Sequence, residues 1–225
     1  VSKYSDNKWT NFTTMDGLSG NNITAIHKTP DGIMWFGTEG SGISTYNPTE
    51  KIWMSLDTNN GLSNNTITKI HQDSNGTLWF GTANGVTKYQ HSHHQPKVQI
   101  LSVRVMDTSY AKKFDQIPTL IAPSHVRIEC SAIDFKTLPE KRKYRYRIKE
   151  LALKWNQTTE KTSFDYTFDE PGTFTFEVQA IDQDLNISDS EQLVFSVVLP
   201  WYFKAAVWIP SSGAILALII SSIFL

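Results

Sequence analysis

Cysteine is almost absent from this sequence, because Cys130 is the single cysteine among 225 residues. One thiol excludes an intrachain disulfide and any cysteine-based zinc cluster. An excess of one charge sign is also missing, since 21 Lys and Arg side chains face 22 Asp and Glu side chains. The resulting net charge of −1 argues against a nucleic-acid-binding protein, which usually carries a basic stripe. We therefore expect no nucleic-acid partner.

The short motifs of common catalytic and cofactor sites are missing too. The sequence contains no G-x-S-x-G, P-loop, H-E-x-x-H or G-x-G-x-x-G. Its composition is still that of a folded chain, with 40% hydrophobic, 12% aromatic and 19% charged residues. These features favour an aromatic-rich β protein, and we assign it no cofactor and no catalytic residue.

An internal repeat occupies the first 90 residues. The segment at 17–27, GLSGNNITAIH, returns 44 residues later at 61–71 as GLSNNTITKIH. The segment at 31–38, DGIMWFGT, returns with the same spacing at 75–82 as NGTLWFGT. A period of about 40–45 residues built from short strands is the size of one propeller blade.

Each copy is patterned as a small antiparallel sheet. Asp31-Gly32 and Asn75-Gly76 are hairpin signals, because type I′ turns need positive φ. The run at 33–36 is apolar on both strand faces, so it must be covered on both sides, as stacked blades would do. Four strands are predicted per unit, and those of the first copy are 23–27, 34–38, 42–46 and 51–56.

These motifs resemble the two-component regulator propeller repeat, with its Asp/Asn-Gly-x-Leu-Trp-hydrophobic-Gly-Thr core followed by Gly-hydrophobic-x-x-Tyr. The resemblance covers roughly residues 5–90, and residues 1–4 are interpreted as the tail of an earlier copy. A propeller closes with about four to eight blades. We therefore expect the sequence to be a fragment, with 1–90 the C-terminal part of a longer propeller.

A second domain follows a His-rich linker at 91–97. Apolar and polar residues alternate at 126–132, 144–148 and 174–180, which indicates strands with one buried and one wet face. About 100 residues with roughly seven such strands predict an Ig-like or fibronectin-III-like β-sandwich, assigned here to 98–200. The charge run at 140–149 is interpreted as a wet face of that sandwich.

The second domain resembles the three-Tyr (Y_Y_Y) domain that follows such propellers in bacterial sensors. The matching positions are Tyr144, Tyr146, Trp155, Tyr166, Pro171, Gly172, Phe176, Pro200 and Trp201. Phe174 stands where the family usually has Tyr. From these patterns we expect Tyr146, Trp155 and Tyr166 in the sandwich core, and Trp35 and Trp79 in the blade cores.

A long apolar run closes the sequence. Residues 205–225 carry no charge and number 21, against about 20 for a membrane-spanning helix. Pro210 interrupts the run, and the aromatic residues at 201–203 are types that favour a membrane–water interface. We predict a truncated transmembrane helix. A buried hydrophobic helix of a soluble domain is the alternative.

The fold prediction is thus all-β: a partial propeller of about two four-stranded blades, a sandwich, and the start of a transmembrane helix. The resemblance implies the sensor region of a bacterial receptor in the inner membrane, with residues 1–204 periplasmic. It implies a small-molecule or oligosaccharide ligand, a homodimer formed through the sandwich, and most often a histidine kinase output. A diguanylate cyclase or DNA-binding output, an anchored scaffold without output, and a propeller glycosidase or lyase are the alternatives, so enzyme status stays open.

Histidines are the first candidate site residues. His91, His93 and His94 are candidate metal ligands, but no carboxylate or Cys completes a site, so a polar linker is favoured. His27 and His71 occupy equivalent repeat positions. That equivalence favours a repeated structural role over one catalytic site.

Acidic residues are the second set of candidates. Asp182, Asp184 and Asn186 form the D-x-D-x-N start of a calcium loop, yet the Gly and Glu that an EF-hand needs later in the loop are missing. We predict a plain turn there. Asp134 and Glu140 suggest acid–base chemistry only weakly, because no second carboxylate can be placed beside either one. No metal site is assigned, and the ligand-binding residues are unknown.

Overall fold

The computed structural model describes residues 1–203. Within that range the chain forms 17 β-strands joined by turns and three-residue 3-10 helices, and it has no α-helix. The all-β prediction is therefore confirmed for this part of the chain. The predicted membrane helix over 205–225 lies outside the described residues. Between residues 1 and 203, no helix is long and apolar enough to span a bilayer.

A short hairpin opens the chain, formed by β1 (Ser2–Ser5) and β2 (Lys8–Asn11). Trp9 on β2 stands 44 residues before Trp53, so the two tryptophans hold the same place in the repeat. Phe12 follows β2 and packs its ring 5.6 Å from that of Trp53. The hairpin therefore takes the place of the last two strands of a preceding repeat unit.

The first complete blade is a four-stranded antiparallel sheet whose strands lie in chain order. They are β3 (Ile23–Lys28), β4 (Met34–Thr38), β5 (Ile43–Asn47) and β6 (Ile52–Leu56). Each lies within one residue of its predicted bounds. Gly32 in the β3–β4 turn has φ +90°, a conformation that glycine adopts without steric cost.

The second blade has three strands, which corrects the prediction of four. They are β7 (Ile67–Gln72), β8 (Leu78–Thr82) and β9 (Gly85–Tyr89). Adding the 44-residue period to β6 places the expected fourth strand at 96–100. Those residues instead begin β10 (Lys97–Val105), whose hydrogen bonds go to a strand of the next domain.

The two blades share one apolar core. The Trp35 ring lies 5.7 Å from Phe80 and 5.5 Å from Tyr89, so an aromatic contact joins the sheets. Gly37 permits the close approach, because a Cβ there would lie 2.6 Å from the Cγ2 of Ile67. The motif glycine is thus required by blade stacking rather than by backbone conformation.

The second domain consists of two four-stranded sheets. Its remaining strands are β11 (Thr108–Ala111), β12 (Leu120–Ile121), β13 (Ser124–Ile133), β14 (Lys143–Ile148), β15 (Ser163–Phe168), β16 (Gly172–Ile181) and β17 (Glu191–Val198). One sheet has the order β11-β10-β13-β15 and the other has β12-β17-β16-β14. Burial along β13 alternates strictly over its first seven residues, so one face of the strand is turned to the core.

The sheets enclose a core of aromatic and branched side chains. Phe176, Phe195 and Val126 are at most 2% exposed, and they come from both sheets. Burying each such side chain contributes about 1.5–3 kcal/mol relative to leaving it in water. This shared core makes the two sheets a β-sandwich.

The aromatic predictions need partial correction. Trp35 is buried as expected, and Tyr146 packs against the sandwich core 4.2 Å from the Phe164 ring. Tyr166 and Trp79 are each 37% exposed, and neither belongs to a core cluster of the described residues. Trp79 lies on the second blade, where residues 1–203 provide no further sheet to cover it.

Candidate functional site

The loop between β16 and β17 enters the blades. Asp182 fixes its shape, because one carboxylate oxygen accepts the backbone N–H groups of Asp184 at 2.9 Å and Asn186 at 2.8 Å. Leu185 has φ +64°, and its side chain joins Ile181 in the apolar core that the two blades share. The predicted plain turn is therefore a docking loop. We call the contact between blades and sandwich the junction.

A buried charge network surrounds Asp184. Its side chain is fully buried, and one carboxylate oxygen lies 2.6 Å from the Lys136 ammonium. The Ser92 N–H donates to this same oxygen at 3.3 Å, and the Tyr89 hydroxyl donates to the other carboxylate oxygen. His91 Nε2 lies 2.5 Å from the Asp184 carbonyl oxygen and donates to it. One carboxylate thus ties the last blade strand, the linker and the sandwich together.

Burial shifts two titratable groups of this network. It raises the pKa of Tyr89, and the neighbouring charges of Asp184 and Asp182 raise it further, so the phenol stays a donor. Burial also raises the pKa of Asp182 to about 6, with the charges of Asp184 and Asp134 adding to the effect and hydrogen bonds from Asn186 opposing it. Two carboxylates in one buried site disfavour each other's ionisation.

A row of basic side chains forms the second half of the junction. Lys143 and Arg145 stand at alternate positions of β14, so they leave the strand on the same side, and Lys141 precedes them on the 3-10 helix Pro139–Lys141. Their acceptors on the blades are the side-chain oxygens of Asp57 and Asn60 for Lys141, the Trp53 carbonyl oxygen for Lys143 and the Glu50 carboxylate for Arg145. The Arg145–Glu50 distance is 2.7 Å, and the Arg145 side chain is only 9% exposed.

The charge run at 140–149 is therefore not the wet face that its pattern predicts. Alternation shows that two faces differ, but it does not show which neighbour covers the polar one. Here the first blade covers it. Arg147, on the same side of β14, bonds the nearly buried Glu177 at 2.6 Å. Trp155 lies outside the core, contrary to expectation, with its ring 5.0 Å from the Arg145 guanidinium and 4.5 Å from that of Arg147.

The candidate histidines have separate surroundings. His91 belongs to the junction, and the rings of His91 and His93 meet edge to face at 4.9 Å. His94 is exposed and lies near the Ser92 hydroxyl. His27 has a buried Nε2 with no hydrogen-bond partner in residues 1–203, whereas His71 is exposed. Equivalent repeat positions thus have different environments.

The other two acidic candidates, Asp134 and Glu140, have different surroundings. Asp134 caps its own turn by accepting the backbone N–H groups of Lys136 at 3.1 Å and Thr137 at 2.9 Å. Glu140 is exposed. Across the described residues, no group of three or more His, Cys, Asp or Glu side chains is arranged to hold a metal ion.

Sequence reasoning missed the residues that build the junction. Lys136, Lys141 and Tyr89 carry no motif, and their partners lie 48, 84 and 95 positions away in the chain. A weak signal was present in the basic residues at alternate positions of β14. Contacts of this sequence separation become visible only once the two domains are docked.

Comparison with protein families supports both halves of the fold. Two component regulator propeller repeats match residues 17–40 and 61–84, and the Y_Y_Y domain matches residues 136–198. The chain therefore carries two component regulator propeller repeats followed by a Y_Y_Y domain. No curated protein sequence matches the chain.

The solved structures to which this chain is similar include extracellular domains. That of BT3049 from B. thetaiotaomicron, described as a hybrid two component system, has a TM-score of 0.53 at 22% identity and covers 86% of this chain. That of BT4673 from the same organism, described as a one component system, has a TM-score of 0.37 at 15% identity, covering 85% of this chain and 38% of that one. The chain spans 28% of the BT3049 structure. The first likeness supports the fold.

Proposed function

We propose that the chain is the extracytoplasmic sensor region of a membrane-bound bacterial signal-transduction receptor. The observation that carries the proposal is the junction, where buried ion pairs and an inserted loop join propeller blades to a Y_Y_Y sandwich. Such a contact is suited to passing a displacement of the blades on to the sandwich. The family match and the BT3049 extracellular domain support a sensor role.

The sandwich leads directly to the apolar run. Strand β17 ends at Val198, and the exposed Trp201 and Phe203 precede residues 205–225. We propose that this run crosses the inner membrane, with residues 1–204 in the periplasm. A ligand that binds two states of the ectodomain with different affinity would then shift their populations and the position of the helix.

The proposed ligand is an extracytoplasmic small molecule or oligosaccharide. The proposed assembly is a homodimer formed through the sandwich, and we propose that this sandwich is of the Ig-like or fibronectin-III-like type. A cytoplasmic histidine kinase is the favoured output. A diguanylate cyclase or DNA-binding output would use the same ectodomain. A membrane-anchored scaffold without output is less favoured. So is a propeller glycosidase or lyase, because its active site would need acidic side chains that converge from several blades.

Thiol labelling in intact cells tests the location. The native Cys130 is 2% exposed, and burial raises its thiol pKa to about 12, so it reacts poorly. A cysteine at the fully exposed Phe135 is the reporter. We expect a membrane-impermeant maleimide to label Phe135→Cys in intact cells with a permeabilised outer membrane, and not the parent chain. Labelling only after the inner membrane is lysed would contradict a periplasmic location.

A further inference from the structure

A cleft of about 460 Å³ lies between the first blade and the sandwich. The loop after β2 and strand β6 contribute one wall, and Lys143 together with residues 157–158 of the sandwich contributes the other. The cleft is separate from the Asp184 network, and its volume is in the range of pockets that hold small organic molecules.

Three aromatic rings form the apolar part of the cleft. Tyr46 and Trp53 stack with ring centres 4.3 Å apart, and Phe12 lies 5.6 Å from each of them. Phe12 and Tyr46 are half-buried, whereas Trp53 is buried behind them. The Tyr46 hydroxyl has no hydrogen-bond partner in residues 1–203. This wall offers an apolar aromatic surface that also carries the Tyr46 hydroxyl.

Two lysines line the same space without an ion pair to a carboxylate in the described residues, although the charge of Glu160 acts on Lys143 from further away. Lys143 is half-buried, and its acceptor in the described chain is the Trp53 carbonyl oxygen at 2.8 Å. Lys51 lines the opposite side and forms no ion pair within residues 1–203. The Asp16 carboxylate also lines the cleft, but it accepts the N–H and hydroxyl of Thr13 at 2.8 and 3.0 Å. Buried charges are normally paired, and an ammonium has three donors.

We propose that this cleft binds a small organic carboxylate, with the carboxylate on Lys143 and a planar apolar portion against Phe12 and Tyr46. Burial lowers the pKa of Lys143, and the charge of Glu160 partly opposes this shift. A bound anion would raise the pKa further, so binding and charge support each other. Because the ligand would touch both domains, it would also tighten the junction. The proposal concerns binding alone and is independent of the receptor's output.

Calorimetry on the full chain in lipid nanodiscs tests the site, with empty nanodiscs as the blank. The probes are sodium benzoate, neutral benzamide, sodium acetate and sodium phosphate at one ionic strength. We expect saturable benzoate binding, and at least about tenfold weaker binding of benzamide, acetate and phosphate. Equal binding of benzoate and benzamide would overturn the role of charge. Equal binding of benzoate and phosphate would overturn the role of the aromatic wall.

Substitutions of single lysines test whether the ligand binds in this cleft. Lys143→Met should weaken benzoate binding about tenfold, whereas Lys154→Met, at an exposed lysine of the sandwich outside the cleft, should leave it unchanged. Since Lys143 also contacts the blade, Lys51→Met provides a second variant that leaves this contact intact, with an expected weakening of about threefold. Binding that survives both substitutions, or no saturable benzoate binding by the parent chain, would refute the proposal.

Discussion

The ammonium of Lys136 lies 2.6 Å from the carboxylate of Asp184, whose side chain has no exposure to solvent. The same ammonium sits 4.7 Å from the centre of the Tyr89 ring and donates to the Gln90 carbonyl at 3.1 Å. The pair therefore joins the sandwich to the end of the second blade. The two partners are unequal in exposure, because the Lys136 side chain is partly exposed to solvent and that of Asp184 is not.

That inequality predicts unequal mutant effects. Lys136→Met leaves a buried carboxylate without its counter-ion, so we expect a loss of about 3 kcal/mol in the free energy of unfolding. Asp184→Asn leaves an ammonium that can turn to solvent, and the loss should be smaller. Urea denaturation of both variants measures the difference, with Lys154→Met as a surface control. Equal losses for the two variants would contradict a buried pair anchored on Asp184.

The pH dependence of stability should reveal Asp182. Its pKa is raised from 3.8 to about 6 in the folded chain, so the folded state holds a proton that the unfolded state releases between these values. Stability then falls as pH rises from about 4 to 6, by up to roughly 3 kcal/mol for this one group. We expect the unfolding free energy of the parent chain relative to Asp182→Asn to decline over that range. A difference that grows with pH would show that the pKa is lowered instead.

Leu185 should link the unfolding of the two domains. Its side chain fills the blade core from the sandwich loop, so Leu185→Ala leaves a cavity and should cost about 2–4 kcal/mol. The matched control is Leu153→Ala, since Leu153 is 89% exposed and should lose less than about 0.5 kcal/mol. Thermal denaturation monitored by tryptophan fluorescence, together with limited proteolysis, measures the loss of stability in both variants. We expect Leu185→Ala to unfold in two thermal transitions. A single transition at the temperature of the parent chain would contradict the insertion of Leu185 into the blade core.

The repeat glycines offer an internal comparison. Gly37 and Gly81 hold the same motif position 44 residues apart. A Cβ at Gly37 would lie 2.6 Å from the Ile67 side chain, whereas at Gly81 the nearest atom is the Thr68 hydroxyl at 3.1 Å. Gly37→Ala should therefore destabilise the chain by about 1–3 kcal/mol, and Gly81→Ala by clearly less. Thermal melts of the two single variants decide this, and a larger loss for Gly81→Ala would argue against the blade stacking described here.

Local sequence pattern was enough to predict most of the strands of the fold. The strands of the first blade follow from the Asp-Gly turn and the apolar run after it, because φ preference and side-chain periodicity act within a few residues. The sandwich strands follow from alternation in the same way. The offset between the two repeat copies also follows from the sequence alone, because it requires only that the matching motifs are equally spaced.

Predictions from local sequence pattern failed where segments that are distant in the chain compete for a partner strand or pack against each other. Residues 97–100 have the spacing of a fourth blade strand, yet they pair with β13, where β10 has eight paired positions and buries Val98 and Ile100 in the sandwich core. Trp79 carries the same motif as Trp35, but within residues 1–203 only Trp35 has a neighbouring blade to bury it.

The sequence by itself determined the repeat and most of the strands, since these depend on interactions between near neighbours. Only the tertiary structure decided that Asp182–Asn186 is a docking loop, that the basic face of β14 is an interface, and that Lys143 faces a cleft. Each of these depends on which surface excludes water from a polar group. That surface comes from residues about 50 to 120 positions away, so no local pattern encodes it.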